Sequence, residues 1–217
     1  MGGVHPLMPE DRPATSHERQ AGRPWDESYQ DGPAPWDLER PQPAIAELAA
    51  EGAFRGTVLD AGCGTGENAL HLAAAGLSIV GIDVAETAVA QAKEKARVRG
   101  LSAEFAVGDA FRLSTLNRTF DTVLDCGLFH TFDAQERRTY AASLASVTEP
   151  GARLHVLCFR DTDGDAGPHP VTRAELEAPF QRETGWQLET LRDSKIVARF
   201  APDGLPAWLA TVQRVTP

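Results

Sequence analysis

An α/β fold, with a mostly parallel sheet and helices on both faces, is predicted by three features of this 217-residue chain. From Thr57 onward short β-type runs alternate with helix-type windows, and parallel neighbours need the crossover connections that helices supply. A glycine-rich stretch, LDAGCGTGENA at residues 59–69, joins the first run to its helix. Near the end, β-type runs follow one another with little helix between them, which predicts an antiparallel hairpin at one sheet edge.

The elements follow in order. Residues 1–22 carry three prolines, several charges and almost no periodic apolar pattern, the composition of a flexible tail. Residues 23–42 contain RPWDESYQDGPAPWDLERP, whose rings are costly to leave in water and so predict a lid or packed arm. Pro43 opens a short helix in PAIAELAAEG, with Gly52 just past its end. The strand TVLDAG precedes the helix ENALHLAAAG, which Gly76 ends; LSIVGIDV precedes AETAVAQAKEKARVRG. In that second helix Val89, Ala92 and Ala96 share a face, and Lys93, Lys95, Arg97 and Arg99 load the C-terminal half, where the helix dipole favours cations. AEFAVGDA, FDTVLDCGLFHTF and RLHVLCF are the third, fourth and fifth strands. Asp133 and Glu136 have capping-box spacing for a helix on which Tyr140, Leu144 and Val147 share a face. A polar loop, a helix from about Thr172, a strand pair in WQLETLRDSKIVARF and a final run AWLATVQRV complete the domain, 43–217.

Composition narrows the function classes. Hydrophobic residues at 42% and charged residues at 24% are globular values. A net charge of -10 leaves no cationic excess for phosphates, so nucleic acid and membrane surfaces are excluded as expected partners, and a small molecule is favoured. Cys63, Cys126 and Cys158 are widely spaced in apolar runs, as reduced thiols of a cytoplasmic protein would be. No signal-peptide core or membrane-length apolar run is present, and a monomer or homodimer is expected.

A glycine turn between strand and helix brings backbone N–H groups close to a ligand. Read from Gly64, GTGENA also satisfies a dinucleotide pattern, with Asp83 at the distance of a ribose-binding acid, so NAD remains open on this motif. Asp60 just before the glycines would repel a pyrophosphate and attract a cationic amino-acid moiety. Asp109 beside Ala110 suits an adenine amine and its ring, and no Tyr-x-x-x-Lys pair exists for hydride transfer.

Together VLDAGCGTGENALHLA, VGIDVAETAVAQAK, VGDAF, FDTVLDCGLFHTF and EPGARLHVLCF resemble the class I S-adenosylmethionine-dependent methyltransferases over about residues 23–217. The resemblance implies a Rossmann-like, seven-stranded, mostly parallel sheet with an antiparallel last strand, S-adenosylmethionine as cofactor and S-adenosylhomocysteine as product. It puts Gly62, Gly64 and Gly66 under the methionyl part with Cys126 near it, gives Asp83 the ribose hydroxyls, and has Asp109 and Ala110 hold adenine. Asp60, Cys63, Val84 and Phe111 are expected to bind the cofactor as well. WDESYQDGPAPWD is similar to the arm of the thiopurine, halide, thiol and tellurite methyltransferases and of bacterial quinol or heterocyclic-toxin enzymes, which makes Trp36, Trp25 and Tyr29 lid residues.

His130 follows the fourth strand at the ligand edge, where an imidazole could take a proton from an oxygen or thiol nucleophile. Phe129 and His169 are its companions on the substrate side. His155 is read as a core residue, and Asp161, Asp163 and Asp165 as a solvated loop without metal. The expected reaction moves a methyl group in line to a phenol or quinol oxygen, a thiol or a heterocyclic nitrogen. A non-catalytic cofactor-binding module and a nicotinamide oxidoreductase are the alternatives.

Overall fold

The computed structural model describes residues 12–162 and 170–216. Helix α1 spans Ser16–Ala21, a 3-10 turn covers Trp25–Tyr29, and α2 spans Pro43–Ala50. The alternating part follows: β1 Thr57–Ala61, α3 Glu67–Ala74, β2 Ser78–Asp83, α4 Glu86–Arg99 and β3 Glu104–Val107. After a 3-10 stretch Ala110–Leu116 come β4 Phe120–Cys126, α5 Ala134–Ala145, β5 Thr148–Phe159, the short α6 Arg173–Glu177, β6 Trp186–Ala198 and β7 Ala201–Arg214.

The seven strands form one sheet in the order β3-β2-β1-β4-β5-β7-β6. Pairing is parallel from β3 to β5, and β7 runs antiparallel to both β5 and β6. Successive strand residues point to opposite faces. Val58, Ile79 and Leu124 therefore pack with α2, α3 and α4, while Leu59, Val80 and Val123 pack with α5, α6 and Trp186. Both faces of the central strands are covered, which is why those strands read as unbroken apolar runs. The capping box on α5 is present, with Asp133 accepting from the N–H groups of Gln135 and Glu136. Among the described residues no helix is long and apolar enough to cross a membrane.

Two expectations are corrected. WQLETLRDSKIVARF is a single strand rather than a pair: β6 runs from Trp186 to Ala198 with register shifts at Leu188/Thr190 and Ile196/Ala198. Its polar centre sits on the exposed edge of the sheet, where charges block further pairing, and not in a turn. The tail reading fails for residues 12–22. There α1 begins with a full capping box, Thr15 with Glu18, and both side chains are buried. Ser16 docks on the start of α5 through its N–H to Glu136 Oε1 at 2.7 Å and its hydroxyl to Glu136 Oε2 and the Thr131 carbonyl.

Gly81 marks the tightest part of the sheet face. A Cβ there would lie 2.6 Å from Phe105 Cδ1 and 3.0 Å from Cys63 Sγ. Ala normally improves a strand, yet here overpacking should prevail. Gly81→Ala is expected to destabilise the protein by about 1–3 kcal/mol in chemical denaturation, and a variant as stable as the parent would show that Phe105 has room to move.

Candidate functional site

The carboxyl ends of β1, β2 and β4 meet under the glycine loop. The Gly62 and Cys63 N–H groups both donate to the Ile82 carbonyl at 2.9 Å, which fastens the loop to the end of β2. Gly66 then starts α3 with φ +85°, and a Cβ on it would come within 2.9 Å of Ala92 and Phe105. Gly64 has φ +53° and lies under the Tyr29 hydroxyl. Only glycine meets both the backbone and the space requirement at these positions.

Asp83 at the end of β2 accepts from Gly64 N–H through Oδ2 at 2.8 Å and from Ala85 N–H through Oδ1 at 2.9 Å. Burial pushes its carboxyl above the usual range, and the backbone N–H groups of Ala85, Gly64 and Val84 act the other way. Each oxygen keeps a lone pair for a further donor.

Above the loop lies a cavity of about 320 Å³. It is lined by Gly62, Gly64, Asp83, Val84, Gly108 and Ala110 beside β1, β2 and β3, and by Leu128, His130, Phe159, Ile196 and Phe200 beside β4, β5 and β6. The arm covers it. Trp36 Nε1 donates to the Tyr29 hydroxyl at 3.0 Å, Trp25 packs edge-on to Trp36, and His17 of α1 stacks on Trp25 at 4.4 Å. Several polar contacts hold the arm to the domain. Asp26 accepts from Thr87 N–H at the start of α4 at 2.7 Å, and Arg199 N–H donates to the Pro35 carbonyl at 2.8 Å. Gln42 pairs with the Val197 backbone in both directions, and Asp37 accepts from the Thr65 hydroxyl at 2.8 Å. Lys95 joins this last contact, 2.8 Å from both Thr65 and Glu67 and 3.9 Å from Asp37.

Two carboxyls lie beneath the cavity. Asp60 is 1% exposed on the α3 face of β1, with neither oxygen in a hydrogen bond of good geometry and the Ala69 N–H as its nearest donor. Burial first, then the charges of Asp125 and Asp83, push it up to about 7. Asp125 lies on the α5 face of β4 beside Tyr140; its Oδ1 accepts from Leu128 and Phe129 N–H at 3.0 and 3.1 Å, and burial pushes it up to about 7. A buried, undersatisfied carboxyl is unfavourable without a cationic or donor partner. The site therefore fits a ligand with a cationic end over Asp60 and hydroxyls at Asp83.

The cavity brings together Trp25, Tyr29, Trp36, Gly62, Cys63, Gly64, Gly66, Asp83, Val84, Ala110, Cys126 and His130 of the residues expected from sequence. Asp60 lies under it. Asp109 turns its carboxylate to the Phe111 N–H at 2.9 Å as a cap, so the wall is made by Gly108 and Ala110 on either side. Phe111 packs on Phe132 away from the cavity. Phe129 is corrected outright: it is fully buried against Phe180 and Arg137 in the α5 core. His169, Asp163 and Asp165 lie outside the described residues. Burial pushes the Cys126 thiol up, which keeps it protonated. His155 is the core residue expected, held between Thr211 and the Ala53 carbonyl and lowered by burial to about 4.

Sequence reading missed His17, Asp37, Thr65, Lys95, Phe159 and Phe200. Asp37 directly follows Trp36 and Thr65 lies inside the glycine loop, two local hints; the fold brings the others to the site from distant parts of the chain.

Residues 58–151 match a family model described as "Methyltransferase domain". The chain is similar to the 2-heptyl-1-hydroxyquinolin-4(1H)-one methyltransferase of Mycobacteroides abscessus, 36% identical over 171 residues, covering 76% of this chain and 73% of that protein. It is similar to "Probable thiol methyltransferase 2" of Arabidopsis thaliana, 30% identical over 156 residues, covering 70% and 69%. A solved structure described as "Conversion of a Disulfide Bond into a Thioacetal Group during Echinomycin Biosynthesis" superposes with a TM-score of 0.76 at 36% identity, covering 84% of this chain and 85% of the other.

The raised carboxyls make stability depend on pH. An unfolded Asp loses its proton near pH 4, whereas Asp60 keeps its own up to about 7. The stabilisation is therefore full below about pH 4 and lost as pH rises through about 7. Asp60→Asn, which cannot ionise, should gain stability relative to the parent as pH goes from 4 to 8 without ligand. A difference between the two proteins that stays constant over that range would show that Asp60 does not titrate there.

Proposed function

The chain belongs to the S-adenosylmethionine-dependent methyltransferases, and we propose that it methylates a small, largely apolar acceptor on oxygen, sulfur or a ring nitrogen. When bound, the cofactor supplies a methyl group on a sulfonium and carries away the electron pair as a sulfide. This chain's residues bind, orient and enclose. Asp83 has lone pairs for the ribose hydroxyls, Val84 and Ala110 form a slot for the adenine ring, and the Gly62–Gly66 loop lies under the methionyl part with Asp60 below it.

In-line displacement depends on alignment of the nucleophile behind the methyl carbon, and orientation can contribute about 7–11 kcal/mol. The cavity supports that use. The observation that carries the acceptor class is the wall beyond the loop: Leu128, Phe159, Ile196 and Ala198 line it, and Phe200, 64% exposed, stands at its rim. An exposed large apolar side chain at a cavity mouth suits an apolar ligand. The two relatives are named for a heptyl-substituted hydroxyquinolone and for thiols, acceptors of this character.

The test is a methyl-transfer assay with labelled S-adenosylmethionine and N-hydroxyquinolones, aryl and alkyl thiols, phenols and aza-heterocycles, each with and without an alkyl chain. Alkylated members are expected to show the higher kcat/KM. Absence of product from every acceptor, with S-adenosylhomocysteine still bound, would refute the reading.

Residues 23–42 are proposed as the lid of this site, with 43–217 as the catalytic domain. Its rings rest on a wall that the cofactor would complete, so S-adenosylhomocysteine should slow limited proteolysis within the arm. Equal cleavage rates with and without it would show that the arm does not close on the cofactor.

A further inference from the structure

His130 sits in the 3-10 turn Phe129–Thr131 just after β4, 6% exposed, among the residues that line the cavity. The turn is pinned by Asp125 through Leu128 and Phe129 N–H, and by Thr131 N–H to the Leu128 carbonyl at 2.9 Å. The ring leans on Phe159 with centroids 4.5 Å apart. The Phe159 backbone N–H donates to His130 Nδ1 at 3.4 Å.

That last contact fixes the polarity of the ring. A backbone N–H can only donate, so Nδ1 must hold a lone pair, and the single proton of a neutral imidazole is then on Nε2. Proton abstraction through Nε2 would require the opposite tautomer, which turns an N–H toward the Phe159 N–H and leaves that buried donor unmet. Among the other described titratable groups, Asp37 and Glu67 are held by Lys95, Asp83 by two backbone N–H groups, and the Cys126 thiol stays protonated, while Asp60 and Asp125, both raised to about 7 with burial the main cause, are not among the residues that line the cavity. From the lid, His17 is stacked on Trp25.

We propose that His130 serves as an Nε2–H donor to the nucleophilic atom, so that the enzyme takes acceptors already ionised, such as a thiolate, a phenolate or an N-oxide anion, and removes no proton itself. This rests on the methyl-transfer reading above and names its substrate form. The acceptor's lone pair forms the bond to the methyl carbon, the carbon–sulfur bond breaks with its pair going to sulfur, and the two opposite charges cancel. No proton moves in that step, and the Nε2–H stays on His130. The expectation that His130 is a general base is thereby replaced by a binding and positioning role.

The test is kcat/KM against pH for an aryl thiol, an alkyl thiol and a phenol, whose ionisations are well separated, with the parent enzyme, His130→Gln and His130→Ala. In the parent the rise in rate should shift from acceptor to acceptor, following each one's own ionisation. Gln places an amide N–H near the position of Nε2 and should keep most of the activity. Ala should lose about ten- to a hundredfold in kcat/KM, mainly through KM, with the pH profile unchanged. Calorimetry with S-adenosylhomocysteine should give the parent's affinity for both variants. An inflection at one pH shared by all acceptors in the parent and lost in His130→Ala would mean that His130 takes the proton and would overturn the proposal, whereas a shared inflection kept in His130→Ala would report another group, such as Asp60. If Gln were as impaired as Ala, donation would likewise be refuted. A parent enzyme that methylates no acceptor at all would fail the underlying reading instead, and this one with it.

Discussion

The Asp83 carboxylate, held between the Gly64 and Ala85 N–H groups, is the contact on which the site depends. One oxygen orders the glycine loop after β1 and the other starts α4 after β2, so a single buried group sets two chain reversals against each other. Because it is buried it cannot exchange these donors for water at low cost, and the loop is shaped before any ligand arrives. Such preorganisation lowers the ordering penalty that binding would otherwise incur.

From that corner the order spreads outward. The start of α4 offers Thr87 to Asp26, and the middle of the same helix sends Lys95 back to Thr65, Glu67 and Asp37. The arm is therefore bound through polar groups to the elements that form the cavity floor, while its rings supply the cover. The Ser16–Glu136 contact ties its leading helix to α5 on the opposite face of the sheet. A segment with little regular structure of its own is thus ordered by the domain beneath it, consistent with how few of its residues follow a helical or strand period.

Legibility in the sequence followed the range of the interactions. The alternation from Thr57, the glycine loop, Asp83 and the Asp133–Glu136 cap are local patterns, and the structure has them where the spacing puts them. The antiparallel ending was legible too, but the polar centre of β6 imitates a turn because edge strands and turns use the same residues. Phe129 illustrates the limit on the site. It neighbours His130 in sequence, yet the 3-10 turn rotates it into the core beside Phe180. Asp109 likewise carries the residue type suited to an adenine amine, and a competing local bond to Phe111 N–H claims its carboxylate. The polarity of His130 was beyond reach, since it depends on a backbone donor 29 positions away.

The placement of β7 bears on how the chain reaches this state. It follows β6 in sequence but lies between β6 and β5 in the sheet, so β6 has no neighbour until β7 is available. β1 to β4 and the glycine loop, by contrast, pair with one another within residues 57–126 and need nothing from the last two strands. The nucleotide half can therefore form without them, whereas the wall carrying Ile196, Ala198 and Phe200 must await a hairpin that docks on β5 as a unit. Late closure would leave the edge of β5 open for a time, a template for pairing with other chains. Crowding during synthesis would then act first on the acceptor side of the molecule.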